Sequence, residues 1–353
     1  MIEVNDVEDA RDVFDDADVV QHTPLNRSRT FSKKMDADVY LKYENFQRTG
    51  AFKIRGAYNK VQSLSDDERD KGVITASAGN HAQGVSLAAS EAGIDSKIVM
   101  PKDAAISKVE ATSGYGGEVV LSGDDYSEAY DRAREIQEEE GRTFIHPFDD
   151  PQVQAGQGTI GLEILNDLPD IDTVIVPIGG GGLISGIATA VKAESPDTRV
   201  IGVQAEGAES VPQSLERGEI YERESVSTIS DGIATRKIAE STFETIQERV
   251  DDVVTVTDDE TANAILLLLE REKTVVEGAG AVPVAAALNR ELDLEGENVV
   301  CVLSGGNIDS NVLSQVISRG LINAGRYVKF ETVLHDKPGA LVEIATIIAE
   351  HNA

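Results

Sequence analysis

Cysteine is almost absent. Cys301 is the single one in 353 residues, which excludes an internal disulfide framework and any multi-cysteine zinc site. Long apolar runs are missing too: residues 264–269 form one of the longest, far short of the ~20 needed to span a bilayer. The opening Met1-Ile-Glu-Val-Asn-Asp is acidic where a secretory leader would be basic and then apolar, so a cytoplasmic protein is expected. Basic residues are scarce, with 32 Lys+Arg against 63 Asp+Glu and a net charge of −31. Such a field repels phosphate backbones and anionic lipid, which excludes nucleic acid and membrane surfaces as partners. The acids are dispersed, through 8–18, 66–70, 135–140 and 251–260, and that dispersal predicts a surface adapted to high salt. What is present suffices for a globular protein. A hydrophobic fraction of 41% supports a packed core, and the length suits two domains with a fragment of a third.

The apolar pattern is that of an α/β chain. Short runs at 73–76, 97–101, 118–122 and 143–147 alternate with helical patterns at 81–92, 108–113 and 126–140. A second set follows Pro151, with strands at 172–178, 199–204 and 299–303 and helices at 159–168, 183–193 and 259–272. Runs of this kind imply right-handed βαβ crossovers and two open, twisted, mainly parallel sheets, each with its own helices. Ligands in such sheets sit beyond the carboxyl ends of strands. The glycine-containing turns at 77–80, 179–182 and 304–307 all fall there. The residues after Gly325 differ: a strand at 325–333 and a helix toward the terminus cannot cover their own apolar faces, so a partner or further chain would complete them.

Four segments carry chemistry. Gly179-Gly180-Gly181-Gly182 follows an apolar strand and opens a helix, so bare N–H groups can converge on an anion at a helix N-terminus. No Gly-Lys-Ser/Thr follows it, and the spacing is not that of a dinucleotide fold. Close helix packing would call for one or two glycines. Lys53 lies between Phe52 and Ile54, with glycines at 50 and 56, which suggests a desolvated amine of lowered pKa usable as nucleophile and base. Ser77-Ala78-Gly79-Asn80-His81 offers backbone amides and a side-chain amide at another helix start, suited to a carboxylate; His81 itself reads better as a packing residue. Ser304-Gly305-Gly306-Asn307 offers a hydroxyl at a strand end, and reads equally as an N-cap on a tight turn.

Together, Ala51-Phe52-Lys53-Ile54-Arg55-Gly56-Ala57, Ala76-Ser77-Ala78-Gly79-Asn80-His81-Ala82-Gln83-Gly84, the four glycines and Ser304-Gly305-Gly306-Asn307 resemble, in order and spacing, the threonine ammonia-lyases. That resemblance runs from about 23 to 321 and implies the pyridoxal-phosphate fold type II architecture, tryptophan synthase beta-like. It implies a large lobe over 1–44 and 148–322, a small lobe over 45–147, and the start of an α+β ACT regulatory domain over 325–353. Pyridoxal 5'-phosphate is the cofactor implied, and a small amino acid, L-threonine or L-serine, the substrate. Lys53 would capture the cofactor and later abstract the Cα proton. Phe52 would stack on the ring, Asn80 would bond the 3-oxygen, and Gly179, Gly180, Gly181 and Gly182 would hold the phosphate. Ser304 would face the pyridine nitrogen, Ser77, Ala78, Gly79, Asn80 and His81 would take the substrate carboxylate, and Glu277 matches an acidic site residue.

The resemblance also implies a homo-oligomer, dimer or tetramer, and an amino-acid effector at a complete ACT domain, with weak effector binding where that domain is partial. Serine racemases and hydroxyaspartate lyases share the scaffold, as would a silent amino-acid-binding regulator. Racemases carry a serine where this chain has Ala78, and Ala78 has no proton to give, which favours elimination. Related enzymes often place a glutamate metal ligand where Gln204 stands; its neutral amide, with Ser210 nearby, implies no metal site.

Overall fold

Strands form where β-branched residues run uninterrupted, and those runs are continuous because both faces of each sheet are covered. In the computed structural model, which describes residues 1–15, 18–289, 292–328, 331, 333 and 337–350, ten strands make two sheets. Strands β1 (Leu25–Arg27), β2 (Asp38–Lys42), β7 (Thr173–Pro177), β8 (Arg199–Ala205), β9 (Asp252–Val256) and β10 (Asn298–Val302) form one, in the order β1-β2-β10-β7-β8-β9. All pairings in it are parallel except the edge pair β1–β2. Strands β3 (Val73–Ala76), β4 (Ser96–Met100), β5 (Glu118–Leu121) and β6 (Thr143–Phe144) form the other, wholly parallel, in the order β5-β4-β3-β6. Every residue of β3 and of β7 is buried.

The sheets meet through helices. Pro151–Asp167 starts on Asp150, whose carboxylate accepts from the N–H groups of Gln152 and Val153, with proline in the first turn. It begins well before the 159 expected from periodicity, because small residues at 156 and 158 hide the pattern. They are small for a reason: a Cβ on Gly156 would strike the Arg55 carbonyl at 2.7 Å, and one on Gly158 the Gly186 carbonyl at 2.8 Å. Backbone thus lies against backbone where this helix crosses the helices Lys53–Gln62 and Gly182–Glu194.

Other expectations shift in detail. The helix expected over 259–272 is α-helical at Asp258–Leu267 and becomes a π-turn at Leu268–Glu272, ending on Lys273 at φ 58°. β6 stops at Phe144, although the Ile145 N–H still bonds the Ile74 carbonyl; Pro147 lacks the donor to continue. Ser304 caps no helix. The next one, Ser310–Asn323, is capped by Asp309. The strand expected at 325–333 lies partly outside the described residues, and the described ones in that span are not in a strand. The terminal helix Ala340–Glu350 buries none of its described side chains. No helix among the described residues is long and apolar enough to cross a membrane.

Candidate active site

Lys53 opens the helix Lys53–Gln62, with Phe52 as its N-cap in the helical region. Its amine is half-buried and donates to the Pro147 carbonyl at 2.7 Å. Burial lowers its pKa from 10.5 to about 8, against the opposing pull of Glu277. The Pro147 carbonyl is itself held: His146 Nδ1 accepts from the N–H groups of Phe148 (3.3 Å) and Asp149 (2.8 Å), closing the turn.

Phe148, one residue on, is the floor under the glycines. A Cβ on Gly180 would overlap its ring, and one on Gly182 would meet its Cα at 2.9 Å. A Cβ on Gly179 would meet the Cα of Ile233 at 3.1 Å, and one on Gly181, at φ +92°, the Cβ of Thr242 at 2.8 Å. Packing therefore requires glycine at 180, 181 and 182 and leaves little room at 179, so their number alone does not argue for an anion. The stronger sign is in the hydrogen bonds. Among the described residues, the N–H groups of 179–183 donate to no backbone acceptor, and they sit where the helix Gly182–Glu194 begins. Thr242 Oγ1 donates to the Gly180 carbonyl at 2.9 Å and so holds the turn in shape.

Asn80 opens the helix Asn80–Glu91, after Gly79 as N-cap. Its Nδ2 donates to Glu277 Oε1 at 2.6 Å and its Oδ1 accepts from Asn307 Nδ2 at 2.8 Å. Glu277 is half-buried before the helix Gly278–Leu288; burial pushes its pKa to about 7, while the Asn80 amide works the other way. A Cβ on Gly305 would meet Glu277 Oε1 at 2.5 Å and crowd Ala51 and Asn80 Nδ2 at 3.1 Å each, which places the 304–307 turn against the segment before Lys53 and the start of the Asn80 helix. Ser304 is buried, and its carbonyl accepts from Phe52 N–H at 3.0 Å. The Ser77 hydroxyl accepts from Gly79 N–H at 3.2 Å.

Most of the residues singled out by sequence thus come together. The imidazole of His81 does not join them. It is 3% exposed, pairs with the Ile145 carbonyl at 2.9 Å, and is pushed by burial and by Lys53 to a pKa of about 3. Only its backbone belongs to the helix start. Gln204 caps the helix Val211–Arg217, its Oε1 accepting from Ser210 N–H (2.9 Å) and Val211 N–H (2.8 Å). Sequence reasoning passed over Phe148, Thr242 and Gly232, and gave Asn307 no role of its own within its motif. Gly232 is exposed, and a Cβ there would meet Glu277 Oε1 at 3.4 Å and Ala279 at 2.9 Å. A glycine beside an acid was the only sign it offered.

A phosphorylated aldehyde fits these groups: a half-buried amine of lowered pKa, N–H groups at a helix start without a backbone acceptor, and an amide with a spare hydrogen. The profile described as "Pyridoxal-phosphate dependent enzyme" matches residues 17–305. The chain belongs to this pyridoxal-phosphate-dependent family. It is 51% identical over 353 residues to an L-threonine ammonia-lyase of Thermotoga maritima, covering 100% of this chain and 87% of that one. The processed threonine deaminase isoform 2 of Solanum lycopersicum superposes with a TM-score of 0.86 at 42% identity, over 90% of this chain and 92% of that one. Maize serine racemase superposes at 0.85 with 37% identity, over 92% and 99% respectively.

The lowered amine gives a pH prediction. A shift from 10.5 to about 8 makes the neutral, nucleophilic amine roughly 300-fold more abundant near pH 7 than on an ordinary lysine. Capture of pyridoxal phosphate by the cofactor-free protein should accelerate as pH rises and level off above about pH 8. Stopped-flow absorption between about pH 6 and 9 reads this. A rate still climbing tenfold per unit between about pH 8 and 9 would show an unperturbed lysine.

Proposed function

We propose that the protein is a pyridoxal-phosphate-dependent threonine ammonia-lyase that also deaminates L-serine. The observation that carries the reading is the Lys53 amine, bonded to the Pro147 carbonyl one residue from the Phe148 that floors the glycine turn. Relatives named L-threonine ammonia-lyase support it, at 51% identity over 353 residues. The bound cofactor supplies an electron sink for the pair left at Cα when a proton departs. The N–H groups of Gly179, Gly180, Gly181 and Gly182 would hold its phosphate, Asn80 its ring oxygen, Ser304 its ring nitrogen and Phe52 one face.

The helix start at Ser77, Ala78, Gly79, Asn80 and His81 receives the substrate carboxylate through backbone N–H groups. Lys53 then takes the Cα proton. A hydroxyl at Ser304, unlike a carboxylate, would not hold a proton on the ring nitrogen of a bound cofactor, which would favour expulsion of the β-hydroxyl over storage of negative charge at Cα. Loss of the Cα proton and the β-hydroxyl as water leaves an enamine, which water converts to 2-oxobutanoate and ammonia. Ala78, at the position where serine racemases carry a serine, has no proton to give, so racemisation is disfavoured.

Within this proposal the six-stranded sheet belongs to the large lobe (1–44 and 148–322) and the four-stranded sheet to the small lobe (45–147), a division supported by which strands pair. A cytoplasmic homo-oligomer feeding isoleucine synthesis, salt-adapted by its −31 charge and tuned by an amino acid at a complete ACT domain, is the wider setting we propose. The test is a product assay. Purified protein supplied with pyridoxal phosphate should release 2-oxobutanoate from L-threonine and form no D-serine from L-serine. Steady accumulation of D-serine faster than pyruvate would favour the racemase reading.

A further inference from the structure

Asn307 has no part in the chemistry above, yet its amide bonds two segments of the cleft at once. Its Nδ2 donates to the Thr49 carbonyl at 2.6 Å and to Asn80 Oδ1 at 2.8 Å. Asn80 Nδ2 in turn donates to Glu277 Oε1 at 2.6 Å. The result is a directed chain, Thr49 carbonyl, Asn307, Asn80, Glu277, that crosses from the segment entering the Lys53 helix to the starts of the Asn80 and Gly278 helices.

An amide is nearly symmetric in shape, so something must decide which way Asn80 faces. A carbonyl can only accept. The Thr49 carbonyl therefore fixes the nitrogen of Asn307 toward itself, and Asn307, using its second hydrogen, fixes the oxygen of Asn80. One Nδ2 hydrogen of Asn80 then goes to Glu277, and the other has no partner among the described residues. Asn307 is held in place by contact as well: Gly50, at φ +71°, has its Cα face against the Asn307 amide, where any Cβ would overlap Oδ1. The turn that carries Asn307 is tied down by Gly306 N–H to the Gly50 carbonyl (2.9 Å) and by the Ala51–Gly305 bridge.

We propose that Asn307 is a positioning residue: it locks the Asn80 amide with its nitrogen toward the cleft, so that Asn80 can only donate to an anionic oxygen of the ligand bound there. This rests on the reading of the cleft as the pyridoxal-phosphate site. With the amide reversed, Asn80 would present its oxygen to that anionic oxygen and repel it.

The test compares two substitutions in the holoenzyme. Asn307→Asp keeps the shape but has no hydrogen to give, so it faces the Thr49 carbonyl and Asn80 Oδ1 with oxygen and forces Asn80 to turn. Asn307→Ala removes one of the two groups that orient Asn80 and leaves its amide held by Glu277 alone. Locking therefore predicts that Asp is worse than Ala. Pyridoxal-phosphate affinity should fall roughly ten- to a hundredfold for Asn307→Asp and by less for Asn307→Ala, the size expected for a lost hydrogen bond to a charged group. The absorption maximum of the bound cofactor should move in Asn307→Asp, and kcat should fall with KM for L-threonine little changed. A packing role predicts the reverse order, since alanine leaves a hole and aspartate does not. Ala worse than Asp in affinity, or an unmoved cofactor spectrum in both variants with only the melting temperature lowered, would overturn the proposal. If the unsubstituted protein binds no pyridoxal phosphate, the reading of the site itself falls, and the proposal with it.

Discussion

Lys53→Ala should reduce the release of 2-oxobutanoate from L-threonine by at least about 10⁴-fold, since one side chain is asked both to capture the cofactor and to move the Cα proton. The fold should survive. Lys53 lies at the first position of its helix, is half-buried, and makes one side-chain hydrogen bond, to the Pro147 carbonyl. Its charged form is already penalised by burial, so removing the amine costs little stability. The variant should melt near the temperature of the parent and take up pyridoxal phosphate without the absorption band of the parent's complex. Lys53→Arg should be equally inactive, because guanidinium is neither a nucleophile nor a base near neutral pH. Turnover within tenfold of the parent in either variant would remove Lys53 from the mechanism.

The largest loss of stability is expected two residues further on. Arg55 is fully buried, and its guanidinium forks onto Glu44 (2.8 Å from both Nε and Nη2) and onto Glu163 (2.6 Å from Nη1). Lys42, also fully buried, completes the cluster through Glu163 (2.5 Å) and the Thr23 carbonyl (2.7 Å). Burial works against the Arg55 charge, but the two carboxylates outweigh it and its pKa is raised. Arg55→Ala would leave Glu44 buried without its cation, which costs about 3–5 kcal/mol. The denaturant midpoint should fall accordingly. Arg55→Lys should restore part of the loss, because one ammonium cannot reproduce a double fork.

The sign with pH follows from Glu163. Burial raises its pKa, but Arg55 and Lys42 together leave it below the ordinary 4.5. A depressed carboxyl contributes stability that is fully present above its unfolded pKa and is lost as pH falls through the folded value. The parent should therefore lose stability on acidification below about pH 4.5, and Arg55→Ala should show less of that loss. Equal midpoints for parent and variant at neutral pH would show that the cluster contributes nothing. Arg55 shares its helix with Lys53, so the same change should loosen the reacting amine.

Much of this was written in local patterns. Strands such as 73–76 are runs of β-branched residues bounded by polar turns, and they fold where they read. The helix at Tyr126–Glu140 begins after an Asp and ends at a Gly in the left-handed region, both visible in one dimension. The motifs around Lys53, Asn80, the glycines and Ser304 announced their chemistry through residue type and order. Less legible were the elements defined by contact. The helix Pro151–Asp167 begins earlier than its periodicity suggests, because Gly156 and Gly158 are chosen for helix crossings and not for an apolar stripe. Phe148 is one aromatic among others until its ring is found beneath the glycine turn.

The amino-acid sequence alone determined the class of fold and the kind of ligand, and pointed to Lys53 as the amine we propose to react, because each depends on which residues lie next to one another along the chain. Tertiary structure decided which nearby polar groups act together. It turned His81 inward to a carbonyl, required glycine at positions 180–182 for packing, and buried Arg55 among carboxylates. It also joined Asn307 to Asn80 and Glu277, residues 227 and 30 positions away in sequence. Hydrogen bonds and burial depend on distance in space, and only the folded chain sets those distances.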